Sequence, residues 1–133
     1  MKNTIHLLTM LIAITSCTIS KNSASGVYIF IDKNNPEINE AVHLYPDGKF
    51  NYRFSNSMSP YPVIQGDWKL VNDTAILNSS KTYVDFTNDT IRLKNIKYKV
   101  NANSIVRCTK HGKLKLKKIR EHFKKYLLDG QLF

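Results

Sequence analysis

The chain has 133 residues, a formal net charge of +10 and a hydrophobic share of 42%. That suffices for one domain with its own core and no more, and two cysteines allow at most one disulfide. The excess of Lys and Arg favours acidic neighbours such as lipid head groups, acidic glycans or a negatively charged protein, although basic charge also serves solubility.

At the N-terminus, Lys2 precedes an apolar run from Leu7 to Ile14. The run is far short of the ~20 residues that cross a bilayer as a helix. It fits the central region of a secretory signal, which is removed from the mature protein. Ile14-Thr15-Ser16-Cys17 follows, an aliphatic residue, two small ones and a cysteine. This order resembles the bacterial lipobox, where small residues let the extended chain enter a peptidase and the thiol accepts diacylglycerol. The resemblance implies a lipoprotein signal peptide over residues 1–16, cleavage before Cys17, and lipidation of Cys17 with acyl chains such as palmitate. Two or more chains anchor stably where one binds only marginally. The expected location is the bacterial envelope, at the outer membrane, facing the periplasm or the cell surface. A non-lipidated secretory signal, or an ordinary cysteine behind a chance apolar stretch, are the alternatives. For an exported protein nucleic acid is not an expected partner.

Residues 17–25 are predicted to be the lipidated cysteine and a short polar tether, and residues 26–117 a β domain. Short apolar-rich runs alternate there with turn residues. The strands expected are 27–31, 41–45, 49–55, 64–70, 74–77, 82–86, 90–93, 96–100, 104–110 and 113–117. Pro46-Asp47-Gly48 closes the clearest hairpin, with proline presetting φ and Gly48 free to turn left-handed. In the strand after it Phe50, Tyr52 and Phe54 share one face and Asn51 and Arg53 the other. Residues 56–62 read as a loop, because Pro60 and Pro62 cannot donate to a ladder. Ile64, Gly66, Trp68 and Leu70 alternate with Gln65, Asp67 and Lys69, which points Trp68 inward and makes Gly66 a bend or a close approach. Ile96, Tyr98, Val100, Leu114 and Leu116 should face in, with the intervening lysines out. Cys108 reads as a small packed core residue rather than a reactive thiol.

The fold class is therefore all-β: an antiparallel up-and-down meander of about 8–10 strands that closes into a barrel, since closure removes exposed edges. A flattened sandwich is the second architecture. The series Pro-Asp-Gly-Lys-Phe, Gly-Asp-Trp-Lys and Asn-Asp-Thr resembles small Bacteroidota lipoproteins with lipocalin-like domains, over roughly residues 26–119. Here the Gly-x-Trp lies mid-chain, whereas lipocalins carry it on their first strand. Residues 118–133 form a basic tail in which Ile119, Phe123 and Leu127 continue the step from Leu116 and predict a short amphipathic helix over 118–128. Such a helix packs on the barrel or lies on an anionic membrane.

Catalytic patterns are missing from the sequence. It contains no Gly-rich phosphate loop, no His-x-x-x-His and no Cys-x-x-Cys, and His43, His111 and His122 lie far apart. Neither a metal nor a cofactor is expected. Glu37, Glu40, Asp47, Asp67, Asp73, Asp85 and Asp89 fall in turns or on polar faces with no spacing that singles out an acid–base pair. Asp73-Thr74-Ala75 and Asp89-Thr90-Ile91 resemble acceptors for O-glycosylation in exported Bacteroidota proteins; ordinary turn chemistry accounts for them as well. The function these features fit is a monomeric, non-enzymatic binding or interaction module, its ligand at the barrel mouth or on a face with Tyr28, Tyr61, Tyr83 and lysines. The alternatives are a structural or stress-related envelope component with a basic tail on anionic lipid or a protein partner, and a hydrolase inhibitor.

Overall fold

Period-two alternation dominates the chain, and the strands follow it. The computed structural model describes residues 18–35, 39–56, 59–60, 62–84 and 88–119. A single-turn helix α1 (Lys21–Ala24) leads into β1 (Gly26–Ile31), β2 (Asn39–Leu44), β3 (Lys49–Asn56), the two-residue β4 (Ser59–Pro60), β5 (Ile64–Val71) and β6 (Thr74–Ser79). A small hairpin of β7 (Tyr83–Val84) and β8 (Thr90–Ile91) precedes β9 (Ile96–Asn101), β10 (Ser104–Thr109) and β11 (Gly112–Lys118).

Eight of these strands close an antiparallel barrel. Each pairs with its neighbour in the chain through β1, β2, β3, β5, β6, β9, β10 and β11, and β11 pairs back with β1. All ten expected strands occur. Those at 82–86 and 90–93 are represented among the described residues by the β7–β8 hairpin, which lies outside the barrel sheet. β4 falls within the expected loop. Ser59 and Pro60 are paired there, against the end of β3, an edge position where proline's missing N–H is tolerated.

The inner face holds the core: Tyr28, Val42, Leu44, Phe50, Tyr52, Ile64, Trp68, Leu77, Tyr98, Val100, Ile105 and Leu116 are all buried. Gly66 is a close approach, as predicted. A Cβ there would sit 2.0 Å from the Asn78 carbonyl oxygen and 2.8 Å from the Phe50 ring. The β5–β6 hairpin turns through Asn72 and Asp73, with φ of 46° and 57°, the left-handed pair that matches the twist of two-residue hairpins.

Residues 18–25 are folded against the barrel floor and do not form the free tether that their composition suggested. Ser20 caps α1 by accepting from the Ser23 N–H at 3.1 Å, and Ala24 is fully buried. The Tyr28 hydroxyl donates to the Ala24 carbonyl at 2.6 Å, and Lys118 Nζ donates to the Ser23 carbonyl at 2.7 Å. The Ile19 N–H donates to Asp73 Oδ1 at 3.0 Å. At the other end of the domain β11 runs through Lys118, and the Ile119 N–H donates to the Val27 carbonyl. The lipobox with Cys17 and nearly all of the expected C-terminal helix lie outside the described residues.

Candidate functional site

Two regions concentrate polar chemistry: a cluster inside the lumen and a basic outer wall. The first arises from charged residues placed in the inward phase of their strands. Glu40 shares the inner face of β2 with Val42 and Leu44 and is 5% exposed. Opposite it across the barrel, four strands away in either direction, stands Tyr98 on β9. The Tyr98 hydroxyl donates to Glu40 Oε1 at 2.8 Å, and Arg107 on β10 donates from a guanidinium nitrogen to Glu40 Oε2 at 3.3 Å. The Arg107 guanidinium lies 5.4 Å from the centre of the Tyr98 ring and also bonds to the Tyr52 hydroxyl of β3.

This tie joins opposite walls, so the lumen at its level is occupied by side chains. Burial lifts the Glu40 carboxyl above its ordinary range, against the lowering effects of Arg107 and the Tyr98 hydrogen bond. At Arg107 burial opposes the charge, and the oxygens of Tyr98, Glu40 and Tyr52 more than restore it. Tyr98 itself is held well above the usual phenol value, mainly by burial. Each oxygen of Glu40 has a donor, which fixes the carboxyl group between the two walls.

The second region is the outer face of β9, β10 and β11. Lys97, Lys99, Lys113, Lys115 and Lys117 all point outward and are exposed. The register sets Lys99 opposite Val106, Val106 opposite Lys115, and Cys108 opposite Lys113. Val106 thus separates lysines that would otherwise face each other directly, a destabilising arrangement. The ion pairs among the described residues, Lys49–Asp67 at 2.6 Å and Arg107–Glu40, lie elsewhere. The wall thus gathers five cations, and Asp32 shares a hollow with Lys115 and Lys117 at its β1 edge.

Cys108 is exposed on this wall, which corrects its assignment to the core. Ile105 and Val106 are adjacent apolar residues, so the strand has two plausible phases. The pairing of Arg107 with Glu40 selects the one that turns Cys108 out. Tyr28 is also misplaced on a ligand-facing surface: it is fully buried, its phenol pushed up to about 12 by that burial. Tyr83 bridges to β5, its hydroxyl accepting from the Gln65 N–H at 2.8 Å, and Tyr61 lies outside the described residues. His43 stacks on Tyr45 at 3.8 Å between ring centres, His111 occupies the exposed β10–β11 turn, and His122 is outside the described residues. No group of three His, Cys, Asp or Glu side chains suited to a metal occurs among the described residues. Thr74 is half-buried beside the turn and Thr90 is exposed on β8.

The lumen cluster escaped the sequence reading, although a signal was present. Glu40 falls in step with Val42 and Leu44, and Arg107 with Ile105, so each is a charge in the apolar phase of its strand. Comparison with protein-family models, with curated proteins and with solved structures finds no match for this chain.

Proposed function

We propose that this protein is a lipid-anchored envelope lipoprotein whose barrel is a non-enzymatic binding module, and that its lysine wall is the contact surface for an anionic membrane. The observation that supports the contact is the wall itself: five exposed lysines on β9 and β11, with Asp32 the carboxylate that shares a hollow with Lys115 and Lys117 among the described residues. Clustering like charge costs stability through self-repulsion, and an acidic partner offsets that cost. The anchor reading rests on the Ile14-Thr15-Ser16-Cys17 lipobox. Ile19 is fixed to Asp73 on the barrel floor, which leaves a leash of two residues, a reach of about 7 Å. The leash emerges beside the wall, because the Asp73 carbonyl accepts from the Val100 N–H and Thr74 pairs with Lys99. A barrel leaning from that corner lays its lysines on the lipid.

The lipocalin-like reading belongs with this proposal. Its support is the strict meander order of eight strands and the closure of the last on the first. The tie across the lumen favours binding on the outside over deep entry of a ligand.

Flotation of residues 18–133 with vesicles tests the wall. Each lysine near an anionic surface contributes about 1 kcal/mol, so Lys97→Gln, Lys99→Gln and Lys115→Gln together should weaken partitioning about 100-fold. Equal recovery on neutral and anionic vesicles would refute the contact. Metabolic labelling with palmitate tests the anchor: Cys17→Ser should remove the label, and retained label would overturn it.

A further inference from the structure

Along the seam between β1 and β11 the outer wall holds a groove of about 670 Å³, within the ~300–1,000 Å³ of small-molecule sites. Ile29, Ile31 and Ile119 line it, and Ile31 is 53% exposed. Lys33, Lys115 and Lys117 stand exposed at its edges, and the register sets Lys117 beside Ile29. Its acid, Asp32, is engaged locally, accepting from the Asn34 N–H at 2.8 Å. The hollow beside Lys49 and Asp67, of about 240 Å³, differs in being polar and already ion-paired.

We infer that this groove binds a single-chain anionic amphiphile, with the acyl chain along the isoleucines and the carboxylate on Lys115 and Lys117. Charge decides the occupant. A second copy would bring its own lysines to the same face, and the chain beyond Ile119, with Arg120, Lys124 and Lys125 against Glu121 and Asp129, brings no net negative side-chain charge to a lysine-edged groove. A neutral apolar partner would desolvate three ammonium groups without compensating them. A fatty-acid carboxylate supplies apolar length and a negative head in one molecule. The groove shares Lys115 and Lys117 with the membrane-contact wall but requires neither Cys17 nor Lys97 and Lys99.

The experiment is calorimetric titration of residues 18–133, which contain the whole closed barrel, with dodecanoate below its micelle concentration, alongside amide chemical shifts. The expected result is one saturable site with shifts confined to β1 and β11. Ile31→Glu, an exposed position that folding tolerates, should abolish binding. Lys115→Ala with Lys117→Ala should weaken it about tenfold. Dodecyltrimethylammonium, with the same chain and the opposite charge, should not bind. Lys97→Glu with Lys99→Glu should leave dodecanoate affinity unchanged while lowering vesicle binding, which separates the two proposals. The inference is overturned by absence of saturation, by equal binding of the cationic amphiphile, by shifts centred on Phe50 and Trp68 in the lumen, or by dimerisation that Ile31→Glu removes.

Discussion

Replacing Glu40 with leucine probes the tie that joins the two walls. Removing one partner of a buried ion pair costs about 3–5 kcal/mol. Arg107 keeps 23% of its side chain exposed, so solvent screening holds its share to the low end. Tyr98 is fully buried and loses its acceptor, a loss of about 1–3 kcal/mol that overlaps with the first. The expected destabilisation of Glu40→Leu is thus about 3 kcal/mol at neutral pH. Urea unfolding followed by the fluorescence of Trp68, the single tryptophan, measures it. Adding Tyr98→Phe and Arg107→Met replaces the whole network by apolar side chains and should restore stability to within about 1 kcal/mol of the parent. The pH dependence has a definite sign. Burial raises the folded-state value of Glu40 above 4.5, so between 4.5 and that higher value the folded state holds more protons than the unfolded one. The stability this group contributes is full below that window and is lost as pH rises through it. The advantage of the parent over Glu40→Leu should therefore shrink from acid toward neutral pH. An advantage that grows with pH, or a single variant as stable as the parent, would refute the reasoning.

Gly66→Ala should destabilise by about 3 kcal/mol or more, because the new Cβ collides with the Asn78 carbonyl and only displacement of β6 relieves it; a thermal midpoint within 2 °C of the parent, well under the shift such a loss gives, would contradict this. Asp73→Ala removes the acceptor of the Ile19 N–H and should speed amide exchange at Ile19 and through α1, with a global loss of about 1 kcal/mol; unchanged exchange would show that the floor segment is held by other contacts. The exposed Cys108 should react stoichiometrically with a thiol reagent in the folded protein, and reaction only after unfolding would return it to the core. Because the lysine wall repels itself, salt raised from about 0.02 to about 0.5 M should increase the thermal midpoint by screening it; Lys97→Gln with Lys99→Gln should blunt the response, and an undiminished response would place the repulsion elsewhere.

Strand order and closure were legible because polar and apolar residues alternate cleanly in β3, β5 and β9, where Phe50, Trp68 and Tyr98 each fix the phase. Turn residues with positive φ, Asn72 and Asp73 among them, marked hairpins short enough to force a meander. Where the phase was ambiguous the reading failed: Ile105-Val106 gives β10 no preferred face, and Cys108 was turned inward as a result. The deciding contact, Arg107 with Glu40, joins residues 67 positions apart, beyond any local pattern. The floor was missed for a related reason. Residues 18–25 are small and polar, as a tether would be, and their structure comes from partners supplied elsewhere, the Asp73 carboxylate and the Tyr28 and Lys118 side chains. Polar composition describes what a segment lacks in burial; it does not record which distant donors and acceptors complete it.

An eight-stranded barrel has an interior just wide enough for side chains to fill or for one small ligand. In this barrel β2 and β9 meet through Glu40 and Tyr98, and the apolar residues around them fill the same space. Alternation along each strand then divides the labour: one phase is committed to the core, and the other is free to carry charge at no cost to packing. Five lysines can gather on β9 and β11 only under that division, because Tyr98, Val100 and Leu116 hold the inner phase. The wall and the core should consequently respond to different substitutions. Charge reversal at Lys97 or Lys99 should change what the surface attracts while the urea midpoint stays put or rises. Loss of Glu40 should lower the midpoint while the outer potential barely moves. Substitutions that coupled the two properties would mean that the lysines help to hold the barrel closed, and the wall could then no longer be read as a surface for a partner.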